Sequence, residues 1–372
     1  MSKWNETHFG ELIEINPETL SVSKYTGEIE YIDIASVNKG MLESYTTYDI
    51  SKAPSRARRV IRDDDIIFST VRPNLRAYYY VKNSPPNAIC STGFAVLRAR
   101  PGVNSRFIYS LITENSFVDY LSLVAKGSAY PAVDTNDLKK AKVTIPNLAT
   151  QNRIAAILSA YDDLIEANNR RIELLEQTAQ ELYKEWFVRF RFPGYEKAKF
   201  KNGLPEGWEY CRLSKIMSFG AGKIRPDSGE EYPVYGGNGI LDYCDYYNNE
   251  NAVIIGRVGA YCGTVYYEPD KCWISDNALF AKSKNNAPFY NYYLLKNMNL
   301  NARQVGTGQP LITQGLLKKL KVLLAPEPIV NKYNQIVSDF LKQQDILRKQ
   351  NANLSKERDM LLPRLMSGKL EV

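Results

Sequence analysis

The sequence predicts an α+β protein: two domains of mixed strands and short helices, separated by two long antiparallel coiled-coil helices and related by an internal pseudo-twofold repeat. Three observations carry this. A block beginning at Gly127 matches one beginning at Gly306, two stretches carry heptad-spaced apolar residues, and the segments between are rich in Tyr, Gly and Asn with short β-like runs.

The repeat comes first because it organises the rest. The blocks read GSAYPAVDTNDLKKAKVTIP and GTGQPLITQGLLKKLKVLLAP. They pair Gly127 with Gly306, Pro131 with Pro310, Leu138 with Leu317, Lys139-Lys140 with Lys318-Lys319, and Lys142-Val143 with Lys321-Val322, all at an offset of 179 (127 to 306). The same offset pairs Ile157 with Ile336, Ser159 with Ser338, Tyr161 with Phe340, Leu175 with Leu354 and Leu182 with Leu361. Upstream it widens to 184 at Ser91 and Ser275, to 187 at Val71 and Val258, and to 204 at Trp4 and Trp208. Two divergent copies of one unit explain this drift, the first longer by about 25 residues (204 against 179).

Each copy opens with an α+β domain, residues 1–147 and 193–326. Runs such as Asp65-Ile66-Ile67-Phe68 and Ala252-Val253-Ile254-Ile255 read as strands. Pro193-Gly194 supplies a turn before the second domain, which opens at Leu204 to Tyr210, LPEGWEY.

Each copy closes with a long helix, residues 148–192 and 327–372. From Gln151 to Phe187 there is neither Gly nor Pro. Ile154, Tyr161, Asn168, Leu175 and Leu182 recur every seven residues, with Leu158, Ile165, Ile172, Ala179 and Trp186 four residues on, which is the a/d pattern of a coiled coil. At 1.5 Å per residue this stretch would span about 55 Å. The C-terminal helix has one row at Tyr333, Phe340, Leu347, Leu354 and Leu361, and Pro363 is expected to stop it. Its second row, Val337, Gln344, Asn351, Arg358 and Leu365, is partly polar, as is Asn168. Such residues either fix register inside the seam or face solvent beside a skewed one. A helix with a single apolar seam needs a partner, so the two are expected to pair with each other, antiparallel.

Composition narrows the function. The 372-residue chain is 44% hydrophobic, enough for two or three cores, and its 48 Lys and Arg against 41 Asp and Glu give +7, a mild lean toward a polyanionic partner. The five cysteines, Cys90, Cys211, Cys244, Cys262 and Cys272, form no C-x-x-C pair, so neither a disulfide scaffold nor a zinc ribbon is indicated. The N-terminal residues lack the basic and apolar regions of an export signal and no apolar run would span a membrane, so a soluble cytoplasmic protein is expected, with no membrane partner.

Catalysis is tested by exclusion. His8 is the one histidine, which leaves no Ser-His-Asp, Cys-His or His-metal constellation, and no metal site is expected. Around Gly222-Lys223, Met217 and Ile224 stand where a phosphate-binding loop needs Gly and a hydroxyl, and Asp242 replaces the third Gly of a dinucleotide fingerprint after Gly236, Gly237 and Gly239. Asp63-Asp64-Asp65 lacks a nuclease-like downstream partner and reads as a turn before a strand. No cofactor and no catalytic residue is expected in this chain.

Several stretches resemble the recurring wording of one family, the specificity subunits of type I restriction-modification systems. They are IPNLATQNRIA (Pro146 to Ala156), WFVRFRFPG (Trp186 to Gly194), LPEGW (Leu204 to Trp208) and LMSGKL (Leu365 to Leu370). The blocks YPVYGGNGI (Tyr232 to Ile240), IIGRVGAYCGTVYY (Ile254 to Tyr267) and WISDNALF (Trp273 to Phe280) are similar to one subgroup of its target-recognition domains. The resemblance covers essentially the whole chain. One departure is PEPIVNKYNQI (Pro326 to Ile336), which lacks the Gln-Asn-Arg-Ile of the first helix approach.

The resemblance implies a non-catalytic subunit reading a bipartite, asymmetric site on double-stranded DNA. It implies two modification subunits that bring S-adenosylmethionine and methylate adenine, with two restriction subunits using ATP and Mg as an optional addition. Two other readings stay open: an orphan recognition subunit serving a methyltransferase without nuclease, and a coiled-coil scaffold whose two domains bind protein. For DNA contact the polar, glycine- or proline-punctuated segments are the candidates. In the first domain these hold Arg72, Asn74, Arg76, Lys126, Ser128 and Tyr130. In the second they hold Lys223, Arg225, Asn238, Arg257, Tyr261, Thr307 and Gln309. Each is open to DNA contact or an ordinary solvated role.

Overall fold

In the computed structural model, residues 4–21, 25–127, 131–304 and 310–372 are described. The chain forms two compact units, Met1–Asn169 with Arg348–Val372, and Arg170–Leu347.

In the first unit, Asn5–His8 pairs antiparallel with Lys142–Ile145. One four-stranded sheet runs in the order Ile13–Ile15, Phe94–Ala99, Ile66–Ser69, Tyr78–Tyr80. A second runs Thr46–Asp49, Glu28–Ile32, Ala88–Ser91, Ala57–Val60. The continuous apolar run at Ile66 to Phe68 is explained by burial on both faces. Ile66 and Phe68 enter one core with Phe9, Phe107 and Leu121, while Ile67 points into another with Phe94 and Val96. Asn104 starts the helix Ser105–Thr113 by accepting the Phe107 N–H at 2.9 Å.

In the second unit, Glu209–Arg212 pairs antiparallel with Lys321–Leu324. A six-stranded sheet runs Met217–Ala221, Ala278–Ser283, Asn249–Gly256, Val265–Ile274, Tyr232–Gly236, Gly239–Cys244. Its first four strands repeat the first sheet of the other unit in the same order. The Glu209–Arg212 pairing likewise repeats that of Asn5–His8. Beyond this frame each copy carries a hairpin whose first strand runs parallel to a neighbour, Glu28–Ile32 beside Ala88–Ser91 and Tyr232–Gly236 beside Val265–Ile274; the first copy holds it in a separate sheet, the second in one continuous sheet.

The long helices are Leu148–Tyr183, continued by a π turn Lys184–Val188, and Glu327–Met366. The unit boundaries fall within both. In the first unit Arg358 Nη1 donates to Asp162 at 2.6 Å and Asn168 Nδ2 to Asn351 at 2.9 Å. In the second, Gln344 Nε2 donates to the Ile172 carbonyl at 3.3 Å and the Tyr333 hydroxyl to that of Ala179 at 3.0 Å. In both units partners descend along one helix as they ascend the other, so the pairing is antiparallel. All of the heptad positions in both helices are buried or half-buried. The polar ones lie inside the seam, with Asn168 2% and Gln344 1% exposed. They satisfy one another or backbone carbonyls there, as buried polar groups must.

Pro363 does not stop the second helix, which continues through it to Met366. In the last turn a missing proline N–H removes one hydrogen bond. Leu365 and Met366, packed into the first unit's core, offset that loss. The stop comes at Gly368, whose φ of +69° is left-handed and open to glycine.

Candidate nucleic-acid interface

In the first unit the turn after Ile66–Ser69 is closed by the Ser69 N–H to the Ala77 carbonyl at 2.8 Å. The Arg72 N–H donates to the Pro131 carbonyl at 2.7 Å, and Val71 bridges Ala132, which itself bridges Lys126. Two candidate segments far apart in sequence are thereby fastened together. Arg72 and Asn74 are exposed, while half-buried Arg76 donates from Nη2 to Asn115 at 2.6 Å. Lys126 is exposed and pairs with Asp137 at 3.0 Å, and this hydrogen bond holds its ammonium above the ordinary value. Such a surface pair is weak enough to be exchanged for a phosphate. Ser128 and Tyr130 lie outside the described residues.

The second unit builds the same cluster from its own copy. Gly256 N–H to the Thr264 carbonyl, at 2.9 Å, closes the equivalent turn. Gly259 N–H donates to the Pro310 carbonyl at 3.3 Å, and Val258 bridges Leu311. Ile312 N–H reaches the Arg257 carbonyl at 2.9 Å, as Val133 N–H reaches that of Thr70 at 2.9 Å. Arg257 is half-buried and Tyr261 exposed. Asn238 is exposed in the two-residue hairpin turn Gly237-Asn238, and the Thr264 hydroxyl ties that turn to this cluster through the Gly237 carbonyl. Lys223 enters through its N–H to the Ile274 carbonyl at 3.0 Å. Arg225 pairs with Asp242, whose carboxyl is lowered by the Ser228 hydroxyl, the Tyr243 N–H and Arg225. Thr307 and Gln309 lie outside the described residues.

The two turns match position by position, and one difference stands out. Their first and fifth residues are left-handed in both: Gly259 (φ +74°) and Gly263 (φ +89°) in the second unit, Arg72 (φ +50°) and Arg76 (φ +57°) in the first. Holding a non-glycine residue there costs about 1 kcal/mol or more each. The first copy keeps two guanidinium groups where glycine would relieve the backbone.

Two residues in these loops carry no signal of polarity or punctuation. Leu75 is 58% exposed and Ile224, between Lys223 and Arg225, 80% exposed. An apolar residue in a short segment reads from sequence as a buried anchor, and only coordinates reveal an aliphatic group facing solvent among cations.

Among the described residues no group of three or more His, Cys, Asp or Glu is placed to hold a metal ion. Asp65 is buried and held by Arg98 at 2.7 and 2.8 Å, which makes it structural. Exposed His8 lies 3.2 Å from the Lys140 carbonyl through Nδ1.

A family described as the type I restriction modification DNA specificity domain matches residues 1–177 and 205–356. The chain is 27% identical over 318 residues to the type I restriction enzyme MjaIX specificity subunit of Methanocaldococcus jannaschii, covering 75% of this chain and 72% of the relative. It is 24% identical over 324 residues to the MjaVIII specificity subunit of the same organism, covering 71% and 69%. Its fold is similar to a crystal structure of a type I restriction-modification system S subunit from M. genitalium, with a TM-score of 0.59, 18% identity and coverage of 98% and 96%.

Proposed function

The chain belongs to the type I restriction-modification DNA specificity family, and from that premise we propose that each unit reads one half of a bipartite, asymmetric DNA site through its loop cluster. The chain itself is a non-catalytic recognition subunit. It directs adenine methylation by two modification subunits carrying S-adenosylmethionine, and cleavage by restriction subunits using ATP and Mg where these join. Its place of action is the cytoplasm, where the DNA is; among the described residues no helix is long and apolar enough to cross a membrane.

The observation that carries the reading is the loop cluster built twice on one backbone plan with different side chains. Arg72, Asn74 and Arg76 stand in one copy where Gly259, Tyr261 and Gly263 stand in the other. Equal frames hold the loops, and unequal side chains present different donors and acceptors to base edges, so the two half-sites differ.

The test is to co-express the chain with its modification subunit and map methylated adenines, then repeat with residues 1–147 exchanged for another first domain. One half of the methylated sequence should change and the other persist. No site-specific methylation, or a change in both halves, would overturn the reading.

A further inference from the structure

We propose that Leu75 is a base-reading contact whose side chain packs against the C5 methyl of a thymine in the half-site read by the first unit. This rests on the reading of the chain as a DNA-recognition subunit, and it names a group on the DNA that the polar candidates cannot recognise.

Leu75 occupies a turn whose counterpart in the second copy is known residue by residue, because the closing hydrogen bonds Ser69 to Ala77 and Gly256 to Thr264 correspond. At the offset of 187 set by Val71 and Val258, Leu75 matches Cys262. Cys262 is 1% exposed and part of the core, whereas Leu75 is 58% exposed. The same turn therefore tucks this position inward in one copy and turns it outward in the other.

The outward side chain stands on a firm base. Pro73 beside it is buried, the Leu75 N–H is bound to the Arg72 carbonyl at 2.9 Å, and the Arg76 N–H to that of Pro73 at 3.0 Å. Arg72 is tied through its own N–H to Pro131, and the Arg76 guanidinium to Asn115. The backbone that carries this aliphatic group is already fixed, so covering it costs only the rotamer freedom of one Leu side chain, about 0.5–1 kcal/mol.

The surroundings select what covers it. Arg72, Arg76 and Lys126 border the turn, and exposed Asn74 adjoins it in sequence. Cations favour a phosphate backbone, and an amide side chain suits the edge of adenine. On the major-groove edge of base pairs the apolar feature is the thymine methyl. Asn74 and Leu75 together thus complement the two halves of one A·T pair.

The probe is the assembled complex with duplexes carrying its mapped site, each thymine of the first unit's half-site replaced in turn by deoxyuridine, which removes only the methyl. One such replacement should weaken binding of the wild-type complex by about fivefold, the scale of one methyl's burial. The Leu75→Ala complex should bind the thymine duplex about as weakly, and be indifferent to the replacement. Indifference of the wild type at every position, equal sensitivity of Leu75→Ala, or a half-site lacking any A·T pair would overturn the assignment while leaving DNA recognition intact. Absence of site-specific binding by the wild type would instead overturn both.

Discussion

Removing Glu176 should loosen the grip of the second unit's body on the first long helix. Its carboxylate pairs with Lys296 and accepts the Tyr293 hydroxyl at 2.9 Å and the Tyr292 hydroxyl at 3.3 Å, all three on the helix Pro288–Asn297. Tyr293 is buried, so Glu176→Ala takes away the acceptor its hydroxyl uses, a loss of about 1–3 kcal/mol. The ion pair, with side chains 30% and 29% exposed, adds only about 1 kcal/mol after solvent screening. A total of about 2–4 kcal/mol is expected, and about half for Glu176→Gln, which keeps an acceptor. Burial alone would raise this carboxyl, but Lys296 and Tyr293 hold it below its ordinary value of 4.5. Its contribution is therefore complete above that value and is lost as pH falls through the lower folded one. Urea unfolding at pH 7 and across the acid range measures both. A Glu176→Ala protein within about 0.5 kcal/mol of wild type, with an unchanged acid profile, would refute the reasoning.

Arg358→Ala should destabilise the first unit by about 1–3 kcal/mol, because Asp162, whose carboxyl burial pushes upward, loses its counter-ion. Adding Asp162→Leu should recover much of that loss in urea unfolding; no recovery would mean the pair is not the cause. Alkylation by iodoacetamide at pH 8 should label half-buried Cys211 ahead of Cys90, Cys244, Cys262 and Cys272, all buried. Burial pushes the Cys272 thiol up to about 12 and Cys90 higher still, so rapid labelling of Cys90 by mass spectrometry would contradict its enclosure.

The repeat and the helical seams were legible because they are periodic, and periodicity survives divergence of individual residues. The Gly127 and Gly306 blocks became matching strands after short helices, Lys142–Ile145 and Lys321–Leu324. Whether Asn168 and Gln344 faced in or out was not legible, since the pattern places them at the seam without saying what they bond. Coordinates supply Asn351 and the Ile172 carbonyl as partners. Pro363 misled because a proline's effect on a helix end depends on the packing of its neighbours, here the burial of Leu365 and Met366. The candidate loops could be named by punctuation, but their gathering depends on backbone pairs such as Val71 with Ala132, sixty-odd residues apart, that no local signal marks.

The departure in the second helix approach shows how such copies diverge without losing their frame. In the first unit Gln151 Oε1 accepts the Asn104 N–H at 3.1 Å, at the start of the helix Ser105–Thr113. The second copy lacks the Gln-Asn-Arg-Ile pattern, and the helix Pro288–Asn297 has no capping side chain of its own. Asn334, about two turns into the C-terminal helix, accepts the Phe289 and Tyr290 N–H groups at 3.0 and 3.4 Å instead. The need at a helix start is for an acceptor, and any residue that places one there will serve. The same holds for the turns at Arg72 and Gly259: matching backbone bonds set the shape, and side chains differ within it, at a backbone cost where arginine replaces a left-handed glycine. A recognition surface built this way can change what it reads by substitution in the loops, because the bonds that hold the loops in place are made by the backbone.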